Sequence, residues 1–292
     1  MDKVNREYKD RLFKFIFGNP ENKAWTLSLY NAINNSSYAD PEAIRLTTLE
    51  DAVYMSMKND TSFLIGDTMN FYEQQSSFNP NMPMRFLIYA GILYGRYIDD
   101  KANKYYKFSS TLQKAPTPKC ICFYNGTKSA EDRVILKLSD AFSPDSESDI
   151  ELRVTMININ YGHNQELMEA CKPLEEYAWF IDRVRSNHKK MQNLEQAIDA
   201  ALDELDKDAL IKPFLLKNQS EVKAMCITEY DDERTLAETR EESYEEGKAD
   251  GRKEGTLNTL IDLVKKGLLT LAQAAEQADM SVSEFESKAG LN

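Results

Sequence analysis

The segment from residue 58 to residue 75 constrains the fold more than any other part of the chain. Two short apolar runs, residues 62–65 and 68–72, are separated by Gly66 and Asp67. A Gly-Asp pair between such runs predicts a two-residue β-hairpin, because glycine supplies the positive φ that the turn needs. In that hairpin Ile65 pairs with Thr68, and every other cross-strand pair follows from this one.

The predicted register collects polar side chains on one face of the hairpin. Asp60 lies opposite Glu73, with Cβ atoms about 4.5–5.5 Å apart, and Lys58 lies opposite Gln75. Successive side chains of a strand alternate between faces, so these four residues point the same way. Two facing carboxylates are unfavourable without a cation, which predicts that Asp60 and Glu73 bind a divalent metal. The simpler alternative is a surface hairpin whose charges reach solvent.

Several further segments, taken in order, resemble one known family. The chain is similar to the recombination-promoting nuclease/putative transposase family of the PD-(D/E)XK nuclease superfamily. The resemblance covers most of the chain and is carried by residues 8–17, 59–60, 72–77, 81–85, 120–126, 157–164 and 251–255.

The resemblance implies a fold, an activity and a site. The fold is α/β, with a restriction-endonuclease-like mixed sheet flanked by helices and a helical C-terminal extension. The activity is that of a transposase-like, Mg²⁺-dependent DNA endonuclease linked to recombination or mobile elements, with Mn²⁺ as a substitute metal. Asp60 matches the aspartate of the family motif, Glu73 the acidic residue, and Gln75 the position where lysine usually stands.

Glutamine at position 75 leaves the function open to other interpretations. It offers hydrogen bonds but no positive charge, so Lys58 is the candidate for the missing cation. The catalytic set is then Asp60, Glu73, Gln75 and Lys58. One alternative is a catalytically degenerate relative that binds DNA or protein, and another is a defence nuclease that cleaves RNA.

Charge is distributed unevenly along the chain. The net charge is −12, but residues 1–125 hold 15 Lys and Arg against 13 Asp and Glu, so the acidic excess lies in the rest. Lysines interleaved with aromatic residues between positions 101 and 119 are typical of a surface that contacts nucleic acid. We therefore expect Lys101, Lys104 and Lys107 to bind DNA. Arg85 is expected either to bind a DNA phosphate or to bridge back to a carboxylate. A loop whose lysines only face solvent is the alternative.

Helical spacing and apolar runs predict the organisation of the chain. A nuclease-like core is expected over residues 1–162, a helical extension over 163–228, a charged helix or linker over 229–256, and a small helical unit over 257–292. Within the core, strands are predicted at residues 51–58, 120–124 and 152–159, and a helix at 84–98. The C-terminal unit resembles a helix-turn-helix, although its sparse basic charge favours a capping or protein-contact role.

Other classes of function lack support in the residues. Four cysteines and two histidines show no zinc spacing, and we expect the cysteines to be buried and His163 to occupy a turn or cap. No nucleophile elbow or phosphate-binding loop motif occurs. The absence of a long apolar run or an apolar leader predicts a cytoplasmic protein with no membrane partner. A homo-oligomer formed through the C-terminal helices is a further expectation.

Overall fold

The hairpin around Gly66 forms as predicted and provides two central strands of a mixed sheet. A computed structural model describes residues 12–47, 61–100, 109–144 and 147–290. In it Ile65 pairs with Thr68 and Thr61 with Tyr72, which is the predicted register. Gly66 has a φ of +52°, the left-handed conformation that the turn requires.

Among the described residues, six strands make one sheet in the spatial order β1-β2-β3-β4-β6-β5. The β1–β2, β2–β3 and β5–β6 pairs are antiparallel, and the β3–β4 and β4–β6 pairs are parallel. The strands are β1 (Arg45–Leu46), β2 (Thr61–Ile65), β3 (Thr68–Gln75), β4 (Thr117–Tyr124), β5 (Arg133–Lys137) and β6 (Arg153–Asn158). This is an α/β architecture with a mixed sheet flanked by helices.

Helices follow the predicted zones, with somewhat different ends. The predicted helix at 84–98 starts two residues earlier and ends two residues later, at Asp100. The helices are α1 (Leu12–Phe17), α2 (Lys23–Asn34), α3 (Met82–Asp100), α4 (Gln165–Ala170), α5 (Lys172–Met191), α6 (Leu194–Glu204), α7 (Lys212–Lys217), α8 (Gln219–Lys265), α9 (Leu271–Gln277) and α10 (Val282–Ala289). Short 3-10 helices occupy Pro20–Asn22, Pro41–Ala43 and Leu138–Ala141.

The two faces of the sheet support separate apolar cores. On one face Tyr72, Ile121, Phe123 and Ile157 join a core with side chains from α1, α2, α5 and neighbouring helices. On the other face Phe71 packs with Cys122, Met156 and the apolar side of α3, which includes Phe86 and Leu93. Successive β3 residues alternate between these faces, so odd-numbered β3 side chains share the face of Phe71 and even-numbered ones share the face of Tyr72.

The chain divides into two compact units between Asp231 and Asp232, within α8. The C-terminal unit has its own small core, which includes Leu260, Ile261 and Phe285. Capping boxes at Thr270 and Ser281 begin α9 and α10, so both helix starts are encoded locally. Helical spacing predicts these two helices at residues 271–278 and 281–288, and both lie within one residue of those bounds. The four-part domain division remains a prediction.

The strand expected at residues 51–58 falls in a segment that the structure does not describe. Within the described ranges, no helix is both long and apolar enough to cross a membrane. The continuous helix α8 takes in the charged segment 229–256, for which a linker was the alternative.

Candidate active site at the carboxyl end of β3

Glu73 and Gln75 lie at the end of the central strand β3, on the face that packs against α3. Met69 and Phe71, which precede them on that face, belong to the apolar core. Glu73 is only 2% exposed and Gln75 only 5% exposed. A buried carboxylate is costly unless a positive charge or several hydrogen-bond donors compensate it, so the partners of Glu73 define the chemistry of this site.

Arg85 compensates the charge of Glu73. Its Nη2 donates to Glu73 Oε1 at 2.6 Å, a charge-assisted contact between the first turns of α3 and the end of β3. The side chain of Arg85 is 25% exposed, so the guanidinium has both a buried partner and access to solvent. Bridging to a carboxylate was one of the two roles expected for Arg85.

Gln75 and Tyr89 complete the cluster around this ion pair. Gln75 Nε2 donates to Glu73 Oε1 at 3.3 Å, and Arg85 Nη2 donates to the Tyr89 hydroxyl at 2.9 Å. The guanidinium carbon of Arg85 also lies 5.9 Å from the centre of the Tyr89 ring. Arg85 is therefore held from two sides, by a carboxylate on the sheet and by an aromatic residue one turn along its own helix.

The neighbouring residue, Gln74, points to the opposite face and enters a neutral network. Its amide donates to Asn125 Oδ1, and the Asn125 amide in turn donates to the Tyr177 hydroxyl at 3.1 Å. All three residues are at most 2% exposed. This network joins β3, the end of β4 and α5 with polar groups that carry no charge.

Polar residues also lie at the carboxyl end of β6, close to the turn that holds His163. Asn158 Nδ2 lies 3.3 Å from His163 Nδ1, which lies 2.6 Å from Asp132 Oδ1. The hydrogen bond from His163 is the main reason that the pKa of Asp132 falls below its usual value. His163 therefore occupies a turn, as predicted, and is additionally paired with an exposed carboxylate.

The metal ligand set cannot be completed from the described residues. Among residues 12–47, 61–100, 109–144 and 147–290, no group of three Asp, Glu, His or Cys side chains could hold a metal ion. Glu73 is the one predicted metal ligand that the structure describes, while its predicted partners Asp60 and Lys58 lie outside the described ranges. The predicted DNA-binding residues Lys101, Lys104 and Lys107 also lie outside them.

Burial is the shared feature of the four cysteines. All four lie in the protein interior, as the sequence predicted. Burial raises the pKa of the Cys120 thiol to about 12, so this thiol is protonated at neutral pH. The structure gives these thiols the role of small apolar side chains.

One member of the cluster, Tyr89, was not singled out as a site residue. Its signal in the sequence is the spacing of Arg85 and Tyr89, which puts both on one face of α3. Tyr89 recurs at helical spacing with the other aromatic and aliphatic residues of α3, so nothing in the sequence separates it from the apolar side of that helix.

Comparisons of the chain with protein family models, with curated proteins and with solved structures find no match.

Proposed function

We propose that the chain is a metal-dependent endonuclease that hydrolyses phosphodiester bonds in DNA. The observation that carries the proposal is the placement of Glu73 and Gln75 on one face at the end of β3, with Arg85 paired to Glu73. A carboxylate, an amide and a guanidinium together can bind a hard cation, hydrogen-bond a water molecule and contact a phosphate. The PD-(D/E)XK type of core is part of this proposal.

The donor types at the site suit magnesium or manganese. Both ions prefer oxygen ligands, and Mg²⁺ usually takes one or two protein carboxylates and leaves the rest to water and phosphate. Glu73 supplies one of these carboxylates, and we assign the other to Asp60. When bound, the ion would supply Lewis acidity toward the phosphate and a water of lowered pKa.

The residues of the chain then have distinct tasks. Gln75 orients the attacking water through its amide, since it lies within hydrogen-bonding distance of the Glu73 carboxylate. Lys58 supplies the positive charge that glutamine lacks at position 75. Arg85 neutralises Glu73 before substrate binds and can then turn its planar guanidinium to the phosphate, which it can contact through two N–H groups.

The supporting features outside the cluster are topological. β3 and β4 run parallel and are joined through α3, so the helix that carries Arg85 follows directly from the strand that carries Glu73. In open α/β sheets, ligands bind beyond the carboxyl ends of parallel strands, which is where this cluster lies. We connect the activity with recombination or mobile elements on the family resemblance alone.

A second candidate is a relative that binds DNA or protein and does not cut. The specific observation in its favour is that Glu73 is nearly inaccessible and already neutralised by Arg85. A metal ion at Glu73 has to compete with this contact. The two candidates differ in whether the Glu73–Arg85 pair opens when metal and substrate bind.

The experiment that separates the candidates is a cleavage assay on supercoiled plasmid with Mg²⁺, Mn²⁺, Ca²⁺ or EDTA. We expect nicking with Mg²⁺ and Mn²⁺, little with Ca²⁺, and none with EDTA or in Asp60→Asn and Glu73→Gln variants. Glu131→Gln, at an exposed carboxylate on the same unit, is the matched control and should cut normally. Nicking that survives EDTA or both site variants contradicts the mechanism.

Two further arms resolve the remaining alternatives. Binding of DNA without any cleavage, unchanged by Glu73→Gln, supports the non-cutting candidate. Parallel RNA substrates test the RNA-cleaving alternative. If Lys58→Ala cuts as well as the unmodified protein while Asp60→Asn does not cut, Lys58 has no catalytic role.

A further inference from the structure

A row of positive side chains crosses the sheet on the face opposite Glu73. Lys137 of β5 pairs directly with Arg153 of β6. Lys119 and Arg153 each stand two residues before the paired residues Ile121 and Thr155, so they are neighbours on the same face of β4 and β6. We call Lys119, Arg153 and Lys137 the basic row. Adjacent strands are about 4.8 Å apart, so the row spans about 10 Å.

The basic row is exposed, and none of its charges has an acidic partner among the described residues. All three side chains are exposed, as is Arg133 farther along the same face of β5. None of the ion pairs among the described residues includes any of these four cations. The acid nearest to Arg153 in sequence is Glu151, two residues before β6, and it accepts hydrogen bonds from Leu138 and Ser139.

Like charges placed directly opposite one another on paired strands are destabilising. A polyanion that binds across the strands removes this repulsion, and arginine and lysine are the side chains that bind phosphate oxygens. In a protein whose net charge is −12, three adjacent cations that form no ion pair within the described part of the chain make a locally distinct surface. The row is therefore suited to a partner with regularly repeated negative charge.

The composition of the surface favours nucleic acid over protein. Stable protein interfaces have an apolar centre surrounded by a polar rim. Here the exposed apolar side chain on β5 is Ile135, at 48% exposure, with cations on either side of it. Contacts to a phosphate backbone require positive charge and little apolar area.

We propose that the basic row binds the phosphate backbone of a nucleic acid at a site separate from the Glu73 cluster. Lys119 pairs with Asn70 on β3, and Asn70 and Glu73 point to opposite faces because their positions differ by three. The choice of nucleic acid as partner rests on the proposed function, whereas the anion-binding character of the row does not. A single protein molecule would then contact nucleic acid on both faces of its sheet.

The test is fluorescence polarisation with a short labelled DNA duplex in EDTA, which removes cleavage from the measurement. A Lys137→Glu/Arg153→Glu variant should bind about tenfold or more weakly than the unmodified protein. The slope of log affinity against log salt should become shallower by about 2, since each lost phosphate contact contributes about 0.9. Lys190→Glu/Lys207→Glu changes the net charge equally at exposed lysines elsewhere on the same unit and should leave the slope unchanged.

Each outcome decides the proposal. An unchanged affinity and slope in the Lys137/Arg153 variant overturns it, as does an equal loss in the control pair. Loss of self-association without loss of DNA binding also overturns it, and identifies an acidic segment of a second copy as the partner. If circular dichroism shows that charge reversal unfolds the protein, the neutral variant Lys137→Gln/Arg153→Gln replaces it. Its loss of affinity should be smaller, and its salt dependence should still be shallower than that of the unmodified protein.

The failure of this proposal is distinguishable from failure of the nuclease proposal. Binding in EDTA requires no metal ion, whereas nicking requires one, so the two measurements on the Lys137→Glu/Arg153→Glu variant test the two proposals separately. A protein that binds DNA through the row but never cuts retains this inference and loses the nuclease. A protein that cuts DNA but binds it equally well with and without the row retains the nuclease and loses this inference.

Discussion

Neighbouring residues at the end of β3 are equally buried but are stabilised in different ways. Gln74, on one face, belongs to a neutral network with Asn125 and Tyr177. Glu73, on the other face, carries a charge whose described ion pair is with Arg85, a residue that is one quarter exposed. The neutral network can only hold the strands and α5 in place, whereas the charged pair can exchange partners. This difference is the reason that we propose a site on the α3 face rather than on the opposite one.

The largest effect should come from removing Arg85. We expect Arg85→Met to lower the free energy of unfolding by about 3–5 kcal/mol, because it leaves a buried carboxylate without its cation. Adding Glu73→Gln in the same chain should recover most of the loss, since the buried carboxylate charge is then absent. Urea unfolding of both single variants and the double variant measures the coupling. A loss below about 1 kcal/mol in the single variant would show that Glu73 does not depend on Arg85.

A smaller effect is expected on the neutral side. Gln74→Leu removes the donor to Asn125 Oδ1 and should cost about 1–3 kcal/mol in the same unfolding experiment. It should leave plasmid nicking per folded molecule unchanged, because the network lies on the face away from Glu73. If Gln74→Leu abolishes nicking in a fully folded protein, the assignment of the two faces is wrong.

The smallest effect concerns the exposed pair at the end of β6. The hydrogen bond from His163 lowers the pKa of Asp132 below its unfolded value of about 3.9. Its stabilisation is therefore fully present above about pH 4 and is lost as the pH falls through the folded pKa. In Asp132→Asn the melting temperature should change less between neutral and acidic pH. A pH dependence identical to that of the unmodified protein would show that the contact between His163 and Asp132 does not stabilise the fold.

Local signals account for the parts of the fold that were predicted well. The hairpin register depends on one glycine and two adjacent runs, so residues 62–72 contain all the information needed. The helix starts at Thr270 and Ser281 depend on capping boxes of four residues. In contrast, β1 has two residues and β5 has three apolar residues between charges, which is too little periodicity to define a strand.

Non-local contacts account for what the sequence did not reveal. The Gln74–Asn125 contact depends on the relative register of β3 and β4, which no adjacent motif specifies. Likewise, the basic row can be recognised only when it is known that β4, β6 and β5 are neighbours in the sheet. For α8, three glycines at four-residue spacing in a charged segment indicated a weak helix or a linker, and helix propensity alone could not show that it runs unbroken from Gln219 to Lys265.

The separation along the chain of the contacting residues has a consequence for how the protein folds. Glu73 and Arg85 are 12 residues apart, whereas Gln74 and Asn125 are 51 apart and Asn125 and Tyr177 are 52 apart. Closing a short loop costs less chain entropy than closing a long one. The charged pair can thus form with the hairpin and α3 before the rest of the sheet assembles, and the neutral network closes only when β4 and α5 arrive.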